Sequence, residues 1–321
     1  MRNSGTQAGG NRLAVLLELE RQLRELRRLQ RRGGTDLRNK IEQLERRKDE
    51  MTPSVFEQLS AWDCVALARH EERPYTLDYL HRAFDDFVEL HGDRRHRDDP
   101  AIVAGIAALD GRPVAVAGHQ KGRTARERTH RNFGMAHPEG YRKALRVMQL
   151  AAKLRRPVVT FLDTPGAACL AEAEARGISE AIAVNQREMS RLPVPIVVVV
   201  IGEGGSGGAI GLGVGDHVAM LQYAYYSVIT PEACAAILWR DGDRKAEMAE
   251  ALKLTAPDAL KLGIVDEIIP EPLGGAHRSY AEMAARVKAT ILRALAQLDT
   301  LDAKELLQRR YDKYMRMGRV E

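Results

Sequence analysis

The residues of this chain best suited to chemistry form a glycine-rich segment directly after a β-branched run at 197–201. Val and Ile favour a buried strand, whereas glycine lets bare backbone approach a neighbouring group closely. Main-chain N–H groups at the start of a helix can then hold a phosphate or a developing oxyanion. The pattern therefore predicts an anion-binding strand–turn–helix segment. Its six glycines are Gly202, Gly204, Gly205, Gly207, Gly208 and Gly211.

The segment also fits the dinucleotide-binding pattern G-x-G-x-x-G, at residues 202–207. That site further needs a substantial helix and then a second strand ending in an acid about 20 residues on. Residues 211–214 are still rich in glycine, and the next strand-like run, at 223–229, has no acid. A dinucleotide site is therefore disfavoured.

Residues 204–208 also fit G-x-S-x-G, the pattern of a serine nucleophile in hydrolases. That chemistry needs a downstream acid and a histidine. His217 follows closely beside Asp216, and His277 stays possible. Ser206 lies among small residues, which favours a close-packing role over a nucleophilic one. The remaining interpretation, amide donors aimed at an enolate-type oxygen, needs small residues and no nucleophile.

Composition and charge limit the classes of partner. The 321 residues carry 49 Lys and Arg against 44 acids, and the net charge of +5 suits an anionic ligand but is too small to indicate nucleic acid by itself. Three separated cysteines, Cys64, Cys169 and Cys234, favour neither a zinc site nor a disulfide framework. No signal-peptide pattern or membrane-length apolar run is found, so we expect a cytoplasmic protein without metal or membrane contact.

Hydrophobic periodicity predicts a helical N-terminal region, an α/β core and C-terminal helices. Leucines every three or four residues predict a helical hairpin over 11–51, broken at Gly33 and Gly34, which would act as a packing or oligomer arm. Residues 52–100 are expected to be helix and loop. The predicted regions are 1–100 (helical), 101–275 (core) and 276–321 (helical extension).

Within the core, strands alternate with helices, which indicates an α/β fold, and two adjacent strands open it as a ββα unit. The predicted strands are 102–109, 114–117, 158–162, 196–201, 227–229 and 264–269. The predicted helices are 139–154, 179–190, 231–238, 245–251 and 257–262.

Motif blocks are spread over nearly the whole chain. They are Arg73-Pro-Tyr-Thr-Leu-Asp-Tyr79, Gly118-His-Gln-Lys-Gly-Arg123, Arg131-Asn-Phe-Gly-Met135, Pro138-Glu-Gly-Tyr-Arg-Lys-Ala144, Asp163-Thr-Pro-Gly-Ala167, Gly202-Glu-Gly-Gly-Ser-Gly-Gly-Ala209 and Ile269-Pro-Glu-Pro-Leu-Gly-Gly-Ala-His-Arg278. Together they resemble the alpha subunit of the acetyl-CoA carboxylase carboxyltransferase of bacteria and plastids. The resemblance implies a crotonase-like (ClpP/crotonase) fold, a spiral of ββα units.

The resemblance also implies an activity and a set of partners. The family moves a carboxyl group from carboxybiotin to acetyl-CoA, giving malonyl-CoA for fatty acid synthesis. It is active only with a beta subunit, as an α2β2 assembly. Carboxybiotin is supplied in trans by a biotin carboxyl carrier protein, so no cofactor is expected to bind this chain tightly. Biotin carboxylase is a further expected partner.

The family places an oxyanion hole for the biotin carbonyl at the main-chain N–H groups of Gly207, Gly208 and Ala209. Substrate-binding positions implied beside it are Gly204, Gly205, Ser206, Gly166 and Ala167. We expect Gly208→Val to abolish transfer without unfolding the protein. Asp163 is expected to have a structural role.

A basic cluster offers a second candidate for substrate binding. Its members are Lys121, Arg123, Arg126, Arg128 and Arg131. The functional interpretation is contact with the phosphates of coenzyme A or with an acidic carrier protein. A solvated loop paired with nearby acids explains the same residues equally well, and both alternatives stay open.

The chain departs from the family after residue 167. The family continues with Tyr-Pro-Gly-Val-Gly, whereas this chain has Ala-Cys-Leu-Ala-Glu at 168–172, which are mostly helix formers. We expect the chain to keep its transfer activity although the wall of the crevice is altered. The alternative is a paralogue with weakened or lost activity that binds the beta subunit. A stand-alone acyl-CoA hydratase of the same fold is a further alternative, with Glu203 or Glu232 as its acid.

Overall fold

One eight-stranded mixed sheet forms the centre of the computed structural model, which describes residues 6–32 and 36–318. Strand order is β1-β2-β3-β4-β5-β6-β8, with β7 beside the end of β5. β1–β3 pair antiparallel and the rest pair parallel. The strands are β1 (Asp85–Glu89), β2 (Ile102–Leu109), β3 (Arg112–His119), β4 (Val158–Thr164), β5 (Ile196–Gly205), β6 (His217–Leu221), β7 (Tyr225–Ser227) and β8 (Glu267–Ile269).

Helices cover the sheet and extend both ends of the described chain. They are α1 (Thr6–Arg31), α2 (Arg38–Phe56), α3 (Ala61–Ala68), α4 (Thr76–Ala83), α5 (Ala125–His130), α6 (Pro138–Lys153), α7 (Ala171–Ala175), α8 (Ile178–Arg191), α9 (Ser206–Ile210), α10 (Pro231–Trp239), α11 (Lys245–Leu252), α12 (Ala256–Lys261), α13 (Tyr280–Leu298) and α14 (Ala303–Arg316). Short 3-10 helices occur at Asn132–Gly134, Gly242–Arg244 and Ala276–Arg278. Each helix in the described ranges is too short or too polar to cross a bilayer.

The predicted N-terminal hairpin is present as α1 packed on α2. Leu13, Leu16 and Leu23 are buried along the predicted stripe, while Leu29 at its end is 48% exposed. The predicted break at Gly33 and Gly34 lies outside the described residues. Pro53 lies inside α2, which continues to Phe56, although proline usually interrupts a helix.

Two strands were not predicted from the sequence. Residues 52–100 were expected to be helix and loop, but β1 joins the sheet edge beside β2. Three of its five residues are acidic and three are exposed, so the strand lacks the alternation of apolar and polar residues that marks a half-buried strand. β6 is only five residues long and begins next to glycines. In both cases the neighbouring strand provides the pairing that local sequence does not signal.

β4 and β5 lie side by side in the middle of the sheet and are buried along their whole length. Burial on both faces explains their continuous apolar runs. Because the two strands are parallel, their carboxyl ends meet at one edge, where Thr164 is in register with Gly204. The segments that follow these two ends form the candidate site.

Candidate active site at the glycine turn

The glycine-rich segment does not turn where the sequence suggested. β5 continues past Ile201 through Gly205, and the chain turns at Ser206, which has a positive φ of 51°. The helix that follows, α9, has only five residues. Such a short helix does not provide the long βαβ crossover of a dinucleotide-binding unit, so that alternative is excluded. We call residues 205–209 the glycine turn.

The glycines of this turn are required because a second backbone segment lies against them. We call residues 165–167, which follow β4, the facing loop. A Cβ on Gly205 would lie 2.3 Å from the carbonyl oxygen of Pro165, and one on Gly208 would lie 2.4 Å from the carbonyl carbon of Gly166. The expectation that Gly208→Val leaves the fold intact is therefore wrong, since a side chain there displaces the facing loop. At Gly207 a Cβ would meet its nearest neighbour, Ile182, at an ordinary 3.6 Å.

Two amides of the turn are unpaired. Gly207 and Gly208 occupy the first turn of α9, where N–H groups have no acceptor within the helix. No other described residue accepts a hydrogen bond from either amide. Ser206 and Gly207 are only half-buried, and both line a mainly apolar pocket of about 400 Å³ together with Ile210 and Tyr226. The turn thus presents backbone donors beside a cavity that suits a small ring system.

Side chains from α6 and α8 donate hydrogen bonds to main-chain carbonyls of the turn and of the residues just after it. Tyr141 on α6 donates from Oη to the carbonyl of Gly208 at 3.1 Å. Asn185 on α8 donates from Nδ2 to the carbonyl of Gly211 at 3.0 Å. Tyr141 lies in one of the motif blocks named above, but no local pattern in the sequence shows that it reaches the turn.

A buried charge network joins the strand ends that carry the turn and the facing loop. The Lys121 ammonium lies 2.7 Å from Asp163 Oδ1 on β4 and 2.7 Å from Glu203 Oε1 on β5. Arg69 Nε and Tyr225 Oη donate to the other oxygen of Glu203, at 2.8 and 2.7 Å. Asp163 Oδ1 also accepts from the Glu203 amide at 3.0 Å, which supports the structural role expected of Asp163.

The network sets opposite pKa shifts on its two acids. Burial would raise the pKa of Glu203, but Lys121 and Arg69 outweigh it and hold that pKa at about 2. For Asp163 burial prevails and raises the pKa above its ordinary value. Glu203 is thus an ionised, fully engaged carboxylate. Glu232 is paired with Arg69 as well, so neither acid expected of a hydratase is free to give a proton.

The structure separates the members of the basic cluster. Lys121 belongs to the buried network. Arg123 pairs with Asp78, Arg128 bonds to the carbonyl of Gly122, and Arg131 bonds to that of Pro100. Arg126 is exposed and has no ion-pair partner among the described residues. Contact with a phosphate or a carrier protein at these positions stays a prediction.

The serine-nucleophile alternative has no geometric support. Ser206 Oγ makes no hydrogen bond to a residue that the structure describes. His217 Nε2 lies 3.2 Å from Glu267, and His277 lies 3.4 Å from Glu20. A histidine base in contact with the serine is thus missing from the described part of the chain.

One cluster has the composition of a metal site. Ligand atoms of Glu20, His70 and His277 lie within 4.8 Å of one another. However, the Glu72 amide donates to His70 Nδ1 at 3.2 Å, which places the proton of the neutral ring on Nε2, the nitrogen that faces Glu20. Arg278 also pairs with Glu20. We interpret the cluster as a hydrogen-bonded contact between α1 and the core.

The altered segment after the facing loop is ordered. The Ala168 amide donates to the carbonyl of Ala136 at 3.0 Å, and α7 covers residues 171–175. The helix formers do not extend α8, because Gly177, with a φ of +79°, separates the two helices. Cys169 and Leu170 are exposed.

A family model described as "Acetyl co-enzyme A carboxylase carboxyltransferase-like" matches residues 14–318. The chain belongs to this family. It is 55% identical over 306 residues to the acetyl-coenzyme A carboxylase carboxyl transferase subunit alpha of Vibrio campbellii, covering 94% of this chain and 96% of the relative. The subunit of the same name from Geobacter metallireducens is 53% identical over 304 residues, covering 95% of each chain. The expected family and enzyme class, a carboxyltransferase, are confirmed.

Solved structures share the fold at low identity. The transcarboxylase 12S core superposes with a TM-score of 0.58 at 20% identity, over 72% of this chain and 43% of that one. A malonate decarboxylase hetero-dimer from Pseudomonas gives 0.56 at 18% identity, over 68% of this chain and 89% of that one. The expected crotonase-like α/β fold is thereby confirmed.

Proposed function

We propose that this chain, together with a beta subunit, moves a carboxyl group from carboxybiotin to acetyl-CoA to give malonyl-CoA, and that the glycine turn is its half of the active site. The observation that carries this assignment is the pair of unpaired amides, at Gly207, which lines the 400 Å³ pocket, and at the buried Gly208 next to it. Family membership supports carboxyl transfer as the reaction, and the unpaired amides support the glycine turn as the site of that reaction.

The residues present fit a biotin ring. Its ureido carbonyl needs hydrogen-bond donors, and the rest of the ring needs an apolar wall. The amides of Gly207 and Gly208 supply the donors, with Ala209 behind them, and the pocket side chains supply the wall. When bound, carboxybiotin supplies the carboxyl group and a basic ureido nitrogen. The chain itself needs only to orient the carbonyl, stabilise its negative charge and exclude water.

The surface around the turn supports the expected beta subunit. Val228 on the pocket rim is 77% exposed, and Ile237 and Leu238 on α10 are 69% and 67% exposed. Large apolar side chains left this exposed favour a protein contact. We propose the beta subunit as the occupant, in an α2β2 assembly, and a biotin carboxyl carrier protein and biotin carboxylase as the further partners.

The test uses Gly207→Val, because a side chain fits there while narrowing the pocket mouth. Malonyl-CoA formation is measured with the beta subunit and a carboxybiotin donor. The variant keeps its amide, but its side chain holds the ring away from that donor. We therefore expect kcat to fall by about 10²–10³, the typical effect of losing one oxyanion-hole donor, with an unchanged melting temperature. The matched control is Gly242→Ala, at another glycine where a Cβ meets nothing closer than 3.8 Å. Wild-type turnover in Gly207→Val would overturn the assignment.

A further inference from the structure

A second cleft lies on another side of α8 from the pocket at the glycine turn. It has a volume of about 460 Å³ and is formed by residues 93–95, α6 and α8. Its lining contains five arginines and three acids. The arginines are Arg94, Arg95, Arg142, Arg146 and Arg187, and the acids are Asp93, Glu180 and Glu188.

Two of the five guanidinium groups are neutralised within the protein. Arg142 lies 2.8 Å from Asp93 and 3.2 Å from Glu139. Arg187 lies 2.8 Å from Glu188 on the same helix. Their charges are therefore balanced without a ligand.

Arg94, Arg95 and Arg146 have no carboxylate within ion-pair distance in the described ranges. Arg94 Nη1 and Arg146 Nη2 instead donate to one and the same carbonyl, that of His91, at 3.0 and 3.1 Å. The two nitrogens therefore lie no more than about 6 Å apart. Burial and the nearby Arg94 both lower the pKa of Arg146. Two like charges are thus held close together. Of the acids nearest them, Asp98 is already paired with Lys143, and Glu180 forms an ion pair with neither arginine.

The loop that presents Arg94 and Arg95 is held in place before any ligand arrives. Asp93 Oδ1 accepts from the amides of Arg95, His96 and Arg97, at 3.0, 2.7 and 3.1 Å. Its other carboxylate oxygen is held by Arg142 on α6. Since the loop is already ordered, little entropy is lost when a ligand binds it.

We propose that this cleft binds a phosphate group, with Arg94 and Arg146 as its principal contacts and Arg95 at its rim. Planar guanidinium groups bind phosphate oxygens in pairs, and a dianion between two unpaired arginines removes their repulsion. The phosphate could belong to coenzyme A or to a separate phosphorylated effector. The site does not depend on the proposed role of the glycine turn.

Binding of inorganic pyrophosphate to the full-length chain is measured by isothermal titration calorimetry. The double variant Arg94→Gln/Arg146→Gln should weaken binding at least tenfold. Arg156→Gln removes a single positive charge from an exposed arginine outside the cleft and should leave binding unchanged. Absence of pyrophosphate binding to the wild type, or equal binding in the double variant, would refute the site.

A competition experiment distinguishes the two sources of the phosphate. If coenzyme A displaces pyrophosphate from the wild type and the double variant weakens coenzyme A binding in parallel, the site holds a phosphate of the substrate. If coenzyme A leaves pyrophosphate bound, the site serves a separate effector. Both readouts use the chain without turnover, so failure of the transfer assay does not affect them.

Discussion

Lys121 offers the sharpest test of how the buried network supports the active site. Its ammonium is 12% exposed and contacts two carboxylates that are almost completely buried, Asp163 and Glu203. Lys121→Met keeps most of the side-chain volume and removes the charge. Glu203 then retains Arg69 and Tyr225 as partners. Asp163 retains only the Glu203 amide among its described hydrogen bonds.

The expected loss of stability in Lys121→Met follows from the uncompensated charge left on Asp163. Removing one partner of a buried ion pair costs about 3–5 kcal/mol. A domain stability of about 5–15 kcal/mol leaves the variant folded but weakened. The double variant Lys121→Met/Asp163→Asn should recover part of the loss, because Asn keeps an oxygen for the Glu203 amide and carries no charge.

Urea unfolding at pH 7 measures the effect. The control is Arg112→Met, which breaks an exposed pair with Asp299 and should cost less than about 1 kcal/mol. The kcat of the assembled enzyme should fall with the stability loss, while the KM for acetyl-CoA stays unchanged. If Lys121→Met lowers the free energy of unfolding no more than Arg112→Met does, the argument is refuted. A raised KM for acetyl-CoA would instead indicate that Lys121 contacts the substrate.

The same network predicts a pH dependence. The pKa of Glu203 is about 2 in the folded chain, below its ordinary value of 4.5. Its contribution to stability is therefore complete above about pH 4.5 and is lost as the pH falls towards 2. Because Lys121→Met raises the pKa of Glu203, its stability should fall less steeply across this window. If the stability of the wild type and that of Lys121→Met fell equally steeply with pH, the ion pair between Lys121 and Glu203 would be contradicted.

Two further predictions concern the rest of the chain. Arg310 is 1% exposed and donates to both oxygens of Asp216 and to three carbonyls. Arg310→Met should lower the free energy of unfolding by about 3–5 kcal/mol, and a melting temperature within 2 °C of wild type would refute this. Grafting Tyr-Pro-Gly-Val-Gly onto 168–172 should change kcat by less than about tenfold, because the close neighbours of Gly205 and Gly208 in the glycine turn come before the grafted segment. A graft that restores activity to an inactive parent would instead favour the weakened-paralogue alternative.

The family, the α/β class and the position of the strand–turn–helix segment could all be predicted from the amino-acid sequence. These features are local: β-branched runs predict strands, leucine spacing predicts the N-terminal hairpin, and glycine density marks the turn. The predicted strand at Ile102–Leu109 agrees with β2 residue for residue, and the helices around α6 and α8 differ by one residue at each end. The motif blocks were needed to predict the reaction, because the proposed oxyanion hole consists of backbone amides and such amides carry no side-chain signature.

Which glycine tolerates a side chain, and which groups Lys121 contacts, became clear from the three-dimensional structure. Gly207 and Gly208 are adjacent glycines that the sequence does not distinguish. The facing loop, some 40 residues earlier in the chain, nevertheless lies against Gly208 and not against Gly207. Lys121 looked like a member of a basic loop, but its two acids are 42 and 82 positions away. Both outcomes depend on parallel strands bringing distant segments to one edge of the sheet, where contacts are set by topology and not by neighbouring residues.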